Sequence, residues 1–188
     1  DRSLAEEILT RDPEIDLMEI QIDEQCISML ALRQPVARDL RFIATAFKIV
    51  KDLERVGDMA IDISERAIEL GKSPPIKPYI DLPIMAKAAQ EMLKGALDSF
   101  VRLDADRARE ITIQDDKVDE LHDLIFNELV ELMVTDKSIA EPAMHLLNVN
   151  KYLERIGDHS CNIAEMVVFM VQGKDIRHLQ NIKKLTGS

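Results

Sequence analysis

The stretch Lys51–Glu65, KDLERVGDMAIDISE, returns at Lys151–Glu165 as KYLERIGDHSCNIAE, displaced by 100 positions. Lys, Leu, Glu, Arg, Gly, Asp, Ile and Glu stand at matching places, and most exchanges between them are mild. A chain that repeats itself in this way is built from two copies of one structural unit. The same displacement relates Glu19 and Asp23 to Asp119 and Asp123. Four acid pairs therefore run through the chain, each with a spacing of four: Glu19/Asp23, Glu54/Asp58, Asp119/Asp123 and Glu154/Asp158. Within each repeat the two pairs start 35 residues apart.

The 188 residues are enough to bury a core. Leu, Ile, Ala, Met, Glu and Lys dominate, aromatic residues make up 4%, and Trp is absent. That composition belongs to helices and predicts no sheet. A net charge of −11 excludes the basic footprint of a nucleic-acid binder and suits cations or basic partner surfaces. Cys26 and Cys161 sit in apolar helical patterns, as buried free thiols of a reducing compartment would. No apolar run approaches the roughly 20 residues of a membrane span.

Taken in order, Asp1–Thr10 reads as a short helix, and Asp12-Pro13 as a restart with Asp12 the N-cap. Ile15, Ile22, Cys26, Met29 and Leu30 keep helical spacing up to Pro35. A long helix follows from Val36 to Leu70, closed by Gly71. Residues 72–82, with three prolines, form the linker between a first repeat (1–71) and a second (83–173). The second repeat holds helices 83–103, 105–134 and 140–172, stopped by Gly173; the tail 174–188 shows only weak helical patterning. LDADRARE opens its helix as DRSLAEE opens the chain. The first repeat has counterparts for only the last two of the three helices, which predicts one more helix of about 20–30 residues before Asp1. Short connections between long helices predict an all-α protein of two pseudo-symmetric three-helix bundles, the first lacking its first helix.

Residues four apart share a helix face, so each acid pair sets two carboxylates side by side, and Asp62 extends the Glu54/Asp58 row. A solvated acidic face eased by Lys51, Arg55 and Arg66 is the plain explanation. Against it, Glu54 lies on the apolar stripe Leu40–Ile43–Phe47–Val50–Ile61–Ile68, and a second stripe, Ile49–Leu53–Val56–Ala60–Ile63–Ala67–Leu70, faces the other way. The helix is thus covered on two sides, and carboxylates in apolar seams cost several kcal/mol unless paired. Oxygen-preferring cations such as Mg²⁺, Ca²⁺, Mn²⁺ or iron would resolve the conflict between two facing acid pairs. Gly57 and Gly157, each one residue before an acid, point to close approach of a neighbouring helix or ligand. His122 and His159 flank the second-repeat acids. The first repeat has Ile22 and Met59 there, so histidine is no obligatory ligand. Asp119-x-x-His122 resembles half of a di-iron Glu-x-x-His motif but has no partner in the other repeat. His145 and His178 read as surface residues. No nucleophile–base arrangement or phosphate loop is legible, and an enzyme is not expected.

IDEQCISMLALRQPVARDLR, LERVGDMAIDI and LERIGDHSCNI together resemble the PhoU family, over essentially the whole chain. The resemblance implies two pseudo-symmetric three-helix bundles with metal clusters at acid motifs. Carried residue by residue, the metal ligands are Glu19, Asp23, Glu54, Asp58, Asp119, Asp123, Glu154 and Asp158, with Asp62 as an extra ligand that Asn162 replaces in the second repeat. Iron is the metal it implies, with Mg²⁺, Mn²⁺, Ca²⁺ and Zn²⁺ left open. It also implies a cytoplasmic, homodimeric negative regulator of phosphate uptake and of the phosphate-starvation response. The implied partners are the ATPase subunit of a phosphate ABC transporter and a sensor histidine kinase. From the residues alone, two other readings stay open: a carboxylate-bridged di-metal storage or oxidase protein, and a metal-free docking scaffold.

Overall fold

The computed structural model describes residues 1–176. Six α-helices make up the fold: α1 (Arg2–Leu9), α2 (Asp12–Arg33), α3 (Ala37–Leu70), α4 (Asp81–Arg102), α5 (Ala105–Thr135) and α6 (Ala140–Gln172), with a 3₁₀ turn at Lys137–Ile139. Among the described residues there is no strand, and no helix is long and apolar enough to cross a membrane. His178 and most of the tail lie outside the described residues.

Local chemistry sets most boundaries. Asp1 caps α1 by accepting from the Leu4 amide, and Asp104 caps α5 by accepting from the Asp106 and Arg107 amides. Ala5 and Ala108, four residues beyond these caps, are both buried. α1 and α2 together therefore hold the place of α5. The caps are 103 positions apart while the acid pairs are 100 apart, and the chain break at Thr10–Arg11 takes up the extra three residues. Asp12 proves to be the first residue of α2 rather than its cap; Arg11 precedes it in helical conformation with no side-chain cap. Gln34 leaves α2 in the left-handed conformation (φ 46°) and Pro35-Val36 follows before α3 begins. Gly173 ends α6 with φ 68°, the conformation glycine adopts most cheaply. Gly71 ends α3 differently, staying right-handed at φ −70°. α4 starts two residues earlier than its sequence pattern, at Asp81, with Pro83 tolerated in a first turn whose amides need no helical partner.

α4, α5 and α6 pack on one another, α3 packs on α6, and α1 and α2 pack on α3. Met85, Met92, Ile111, Val118, Leu129, Ile163 and Val167 are essentially inaccessible and form the heart of the second bundle. Ile49, Leu53, Val56, Ile63 and Leu70 of α3 join that core, so the second stripe of α3 does face α6. The linker is seated rather than loose, because Ile76 and Tyr79 pack on the same core and Lys77 pairs with Glu128. α2 differs from its sequence pattern: of its residues only Cys26 is buried, and Met29 and Leu30 are exposed. The reason is that α3 is the one helix against it, whereas its counterpart α5 lies between α4 and α6.

Candidate metal centre

In the first repeat α2 and α3 touch where Gly57 lacks a side chain. A Cβ there would stand 2.9 Å from Ile15 Cδ1. The approach brings Glu19 and Glu54 together from opposite helices, and with Asp16 they place carboxylate oxygens within 4.8 Å of one another. Among the described residues this is the one group of three potential ligand residues so spaced. The Glu19 and Glu54 side chains are only 12% and 16% exposed, while Asp16 is on the rim. Buried oxygens of Glu54 (Oε2) and Asp23 (Oδ1) have no hydrogen-bond donor. Arg55 Nε approaches that Glu54 oxygen at 3.4 Å as an ion pair without hydrogen-bond geometry. Lys51 pairs with Glu19, and that hydrogen bond raises the lysine pKa, aided by the charges of Glu19, Glu54 and Asp23. Arg55 donates to Asp58 at 3.0 Å. The basic residues thus ease part of this cluster, as the plain explanation of the acid row supposed.

Asp62 stands apart from these acids. It accepts the Tyr152 hydroxyl of α6. By the pseudo-symmetry, positions 62 and 152 correspond to 162 and 52, and there Asn162 Nδ2 lies 3.5 Å from Asp52 Oδ1. Both pairs stitch α3 to α6. A residue on that seam looks away from α2, which is why Asp62 extends the acid row in sequence yet does not share its site.

The second repeat is built from α5 and α6 running antiparallel. Gly157 again opens the contact: a Cβ would stand 3.1 Å from Asp115 Oδ1 and 3.4 Å from Val118 Cγ1. Asp115 lies outside the predicted set, because its counterpart Ile15 is apolar. The signal that could have found it is its position four before Asp119, on the same helix face. Its carboxyl is pushed up to about 6 by burial and by the nearby charges of Asp119 and Asp158, while the Cys161 thiol donates to it and holds it down. Burial first, and then Asp158, raises Asp119 and Glu154; burial raises Asp158 itself. His122 lies close enough to lower both Asp119 and Glu154. Asp123 is exposed and acts on Asp119 only as a further negative charge. His159 turns away: its Nδ1 is 2.7 Å from Asp52 Oδ1, so it bridges the repeats instead of joining the acids. His145 is half-buried, near Glu69, rather than free on the surface. Cys26 is buried; Cys161 is half-buried, at the edge of this cluster.

These observations fit a cation. Orphaned buried oxygens, carboxyls pushed upward by one another and by burial, and glycines that let donor-bearing helices close in all favour positive charge between the helices. An all-oxygen set such as Asp16, Glu19 and Glu54 suits hard or borderline ions.

Fold and site together define an all-helical protein of two acid-bearing repeats, joined side by side through α3 and α6. The PhoU domain family matches residues 1–67 and 82–167. A phosphate-specific transport system accessory protein PhoU homolog of Pseudomonas aeruginosa is 41% identical over 182 residues, covering 95% of this chain and 74% of the relative. The homolog from Aquifex aeolicus is 42% identical over 181 residues, covering 96% and 81%. The crystal structure of PhoU from Pseudomonas aeruginosa superposes with a TM-score of 0.89 at 39% identity, covering 93% of this chain and 84% of that one. A phosphate transport system regulatory protein PhoU from Streptococcus pneumoniae gives 0.84 at 28% identity, covering 94% and 83%. The chain belongs to the PhoU family.

Proposed function

We propose that this protein is a metal-binding, non-enzymatic regulator of a phosphate-specific transport system. In this role it restrains phosphate uptake and the phosphate-starvation response, acting in the cytoplasm as a homodimer through the transporter's ATPase subunit and a sensor histidine kinase. The role in phosphate transport is supported by the names of its relatives. The metal function is supported by one observation above the rest: both repeats bring carboxylates together across a glycine-opened helix contact, and in the first repeat buried oxygens of Asp23 and Glu54 have no donor. The ligands are Glu19, Asp23, Glu54 and Asp58 in one repeat, with Asp16 added, and Asp119, Asp123, Glu154 and Asp158 in the other, with Asp115 added. Iron is the favoured ion.

The test is elemental analysis of the protein purified without chelator, beside a variant carrying Glu54→Ala, Asp58→Ala, Glu154→Ala and Asp158→Ala. The wild type retains metal and the variant loses it; equal content in both refutes the metal function. A docking surface for basic partners is favoured by the pairing of Lys51 and Arg55 with the first acid row. Partner binding that is weakened by salt and indifferent to chelator would select it.

A further inference from the structure

The outer face of α2 is apolar where its counterpart in the second repeat is polar. Both repeats share one register: Gly57 meets Ile15 and Gly157 meets Asp115, so each α2 position stands where the α5 position 100 further on stands. α5 has α4 and α6 packed on it and still leaves Lys117, Glu120, Leu124, Asn127 and Glu131 exposed. These positions therefore lie outside a three-helix bundle, and a helix in the place of α4 does not reach them. In α5 all of them but Leu124 are polar. Their counterparts in α2 are Leu17, Ile20, Glu24, Ile27 and Ala31, again all exposed, with Leu17, Ile20 and Ile27 at 55%, 54% and 58%. Steps of three, four, three and four set them on one straight seam, the spacing by which one helix receives another along its length. Three large aliphatic side chains on such a line, each more than half in water, mark an interaction surface.

Charge decides the occupant. α2 carries Asp12, Glu14, Asp16, Glu19, Asp23 and Glu24 against Arg33 alone. Helical geometry puts Glu24 inside the seam, Asp16 and Asp23 along one edge and Glu14 toward the other. Lys51 answers Glu19, and Arg11 approaches Glu14 at 3.6 Å with both side chains open to water. A second copy of α2 laid on this seam would set acids against acids, and an anionic lipid surface would be repelled in the same way. A helix with an apolar stripe bordered by lysine or arginine matches both the seam and its edges.

We propose that the outer face of α2 is a docking site for an amphipathic, basic-edged helix of a partner protein. The second repeat, with Lys117, Glu120 and Asn127 at the same places, has no such site. This rests on the regulator function proposed above and names the surface through which that regulator meets a partner. Leu17, Ile20 and Ile27 supply the apolar burial, and the acids around them fix the sign of the partner's charge.

The experiment measures, by fluorescence anisotropy in physiological salt, binding of the full chain to a labelled three-heptad peptide with leucine at the seam positions and lysine at the edges. The wild type binds it at least about tenfold more tightly than a peptide with the same leucines and glutamate in place of lysine. Leu17→Lys with Ile20→Glu and Ile27→Asn installs the second-repeat residues and leaves the net charge unchanged. This variant keeps the wild-type melting temperature and binds the lysine peptide at least about tenfold more weakly. Lysine and glutamate peptides bound alike, or a triple variant that binds as the wild type does, overturns the proposal. A wild type that sediments as a dimer beside a monomeric triple variant gives the face to a second copy. Tighter peptide binding by a chain ending at Ile176 gives it to residues 177–188. Either result overturns the partner assignment. A wild type that binds the peptide yet fails to restrain phosphate uptake in cells lacking the protein overturns the regulator function and leaves the docking face standing.

Discussion

Asp115→Asn in chelator is expected to make this protein more stable at pH 7.5. Asp115 has its carboxyl pushed from 3.8 to about 6, mainly by burial and then by Asp119 and Asp158. A folded-state value above the unfolded one means that the stability it contributes is complete below about 4 and is lost as pH rises through about 6. Such a displacement corresponds to about 3 kcal/mol for a fully shielded group. Asp115 is only half-buried, so solvent screening brings the expected effect down to about 1 kcal/mol. Asn keeps the shape and an oxygen to accept the Cys161 thiol, while removing the charge. In EDTA, thermal melts by circular dichroism should show the variant about 2–4 °C above wild type at pH 7.5. The difference should shrink to nothing at pH 4. Adding Co²⁺ should raise the wild type and close the gap at pH 7.5, because the ion supplies the positive charge that Asn made unnecessary. A variant less stable than wild type at pH 7.5, or a difference that does not depend on pH, would show that the carboxylates are not in electrostatic conflict.

The glycines give a paired test. Gly57→Ala gains about 1 kcal/mol of helix propensity, and the atom in its way is the far end of Ile15, a side chain already 37% exposed and free to swing out. Gly157→Ala gains the same propensity but presses on Asp115 and loosens its bond from Cys161, a loss of similar size. The first should melt higher and the second unchanged; equal shifts would sink the close-approach argument at position 157. Across the repeat seam, Asp52→Ala removes the partner of a ring nitrogen of His159, whose side chain is 18% exposed, and leaves it unsatisfied. Urea unfolding should show a loss of about 1–3 kcal/mol, and no loss would mean that the seam does not depend on this pair.

Much of the fold was legible in the chain alone. The duplicated LER-x-GD segment, the matching openings DRSLAEE and LDADRARE, the proline break at Pro35 and the stop at Gly173 are local signals. They operate within a turn or two of helix, where geometry follows from residue order. The i, i+4 rule likewise pairs Glu19 with Asp23 and Glu54 with Asp58 from residue order alone. Which of those carboxylates meet was another matter. Asp62 shares its row with Glu54 and yet bonds to Tyr152; His159 neighbours Asp158 and yet bonds to Asp52. Asp16 and Asp115, by contrast, lie beside those carboxylates although neither belongs to the four repeated pairs at spacing four; Asp16 recurs as Asp116, whereas Asp115 stands where the first repeat has Ile15.

Sequence by itself determined the helices, the duplication and the rows of acid. Tertiary structure decided which row faces which, where the glycines let helices close, and which acids are answered by lysine or left unpaired. The physical reason is range: helical periodicity is a property of neighbouring residues, whereas register between helices is set by packing of side chains distant along the chain.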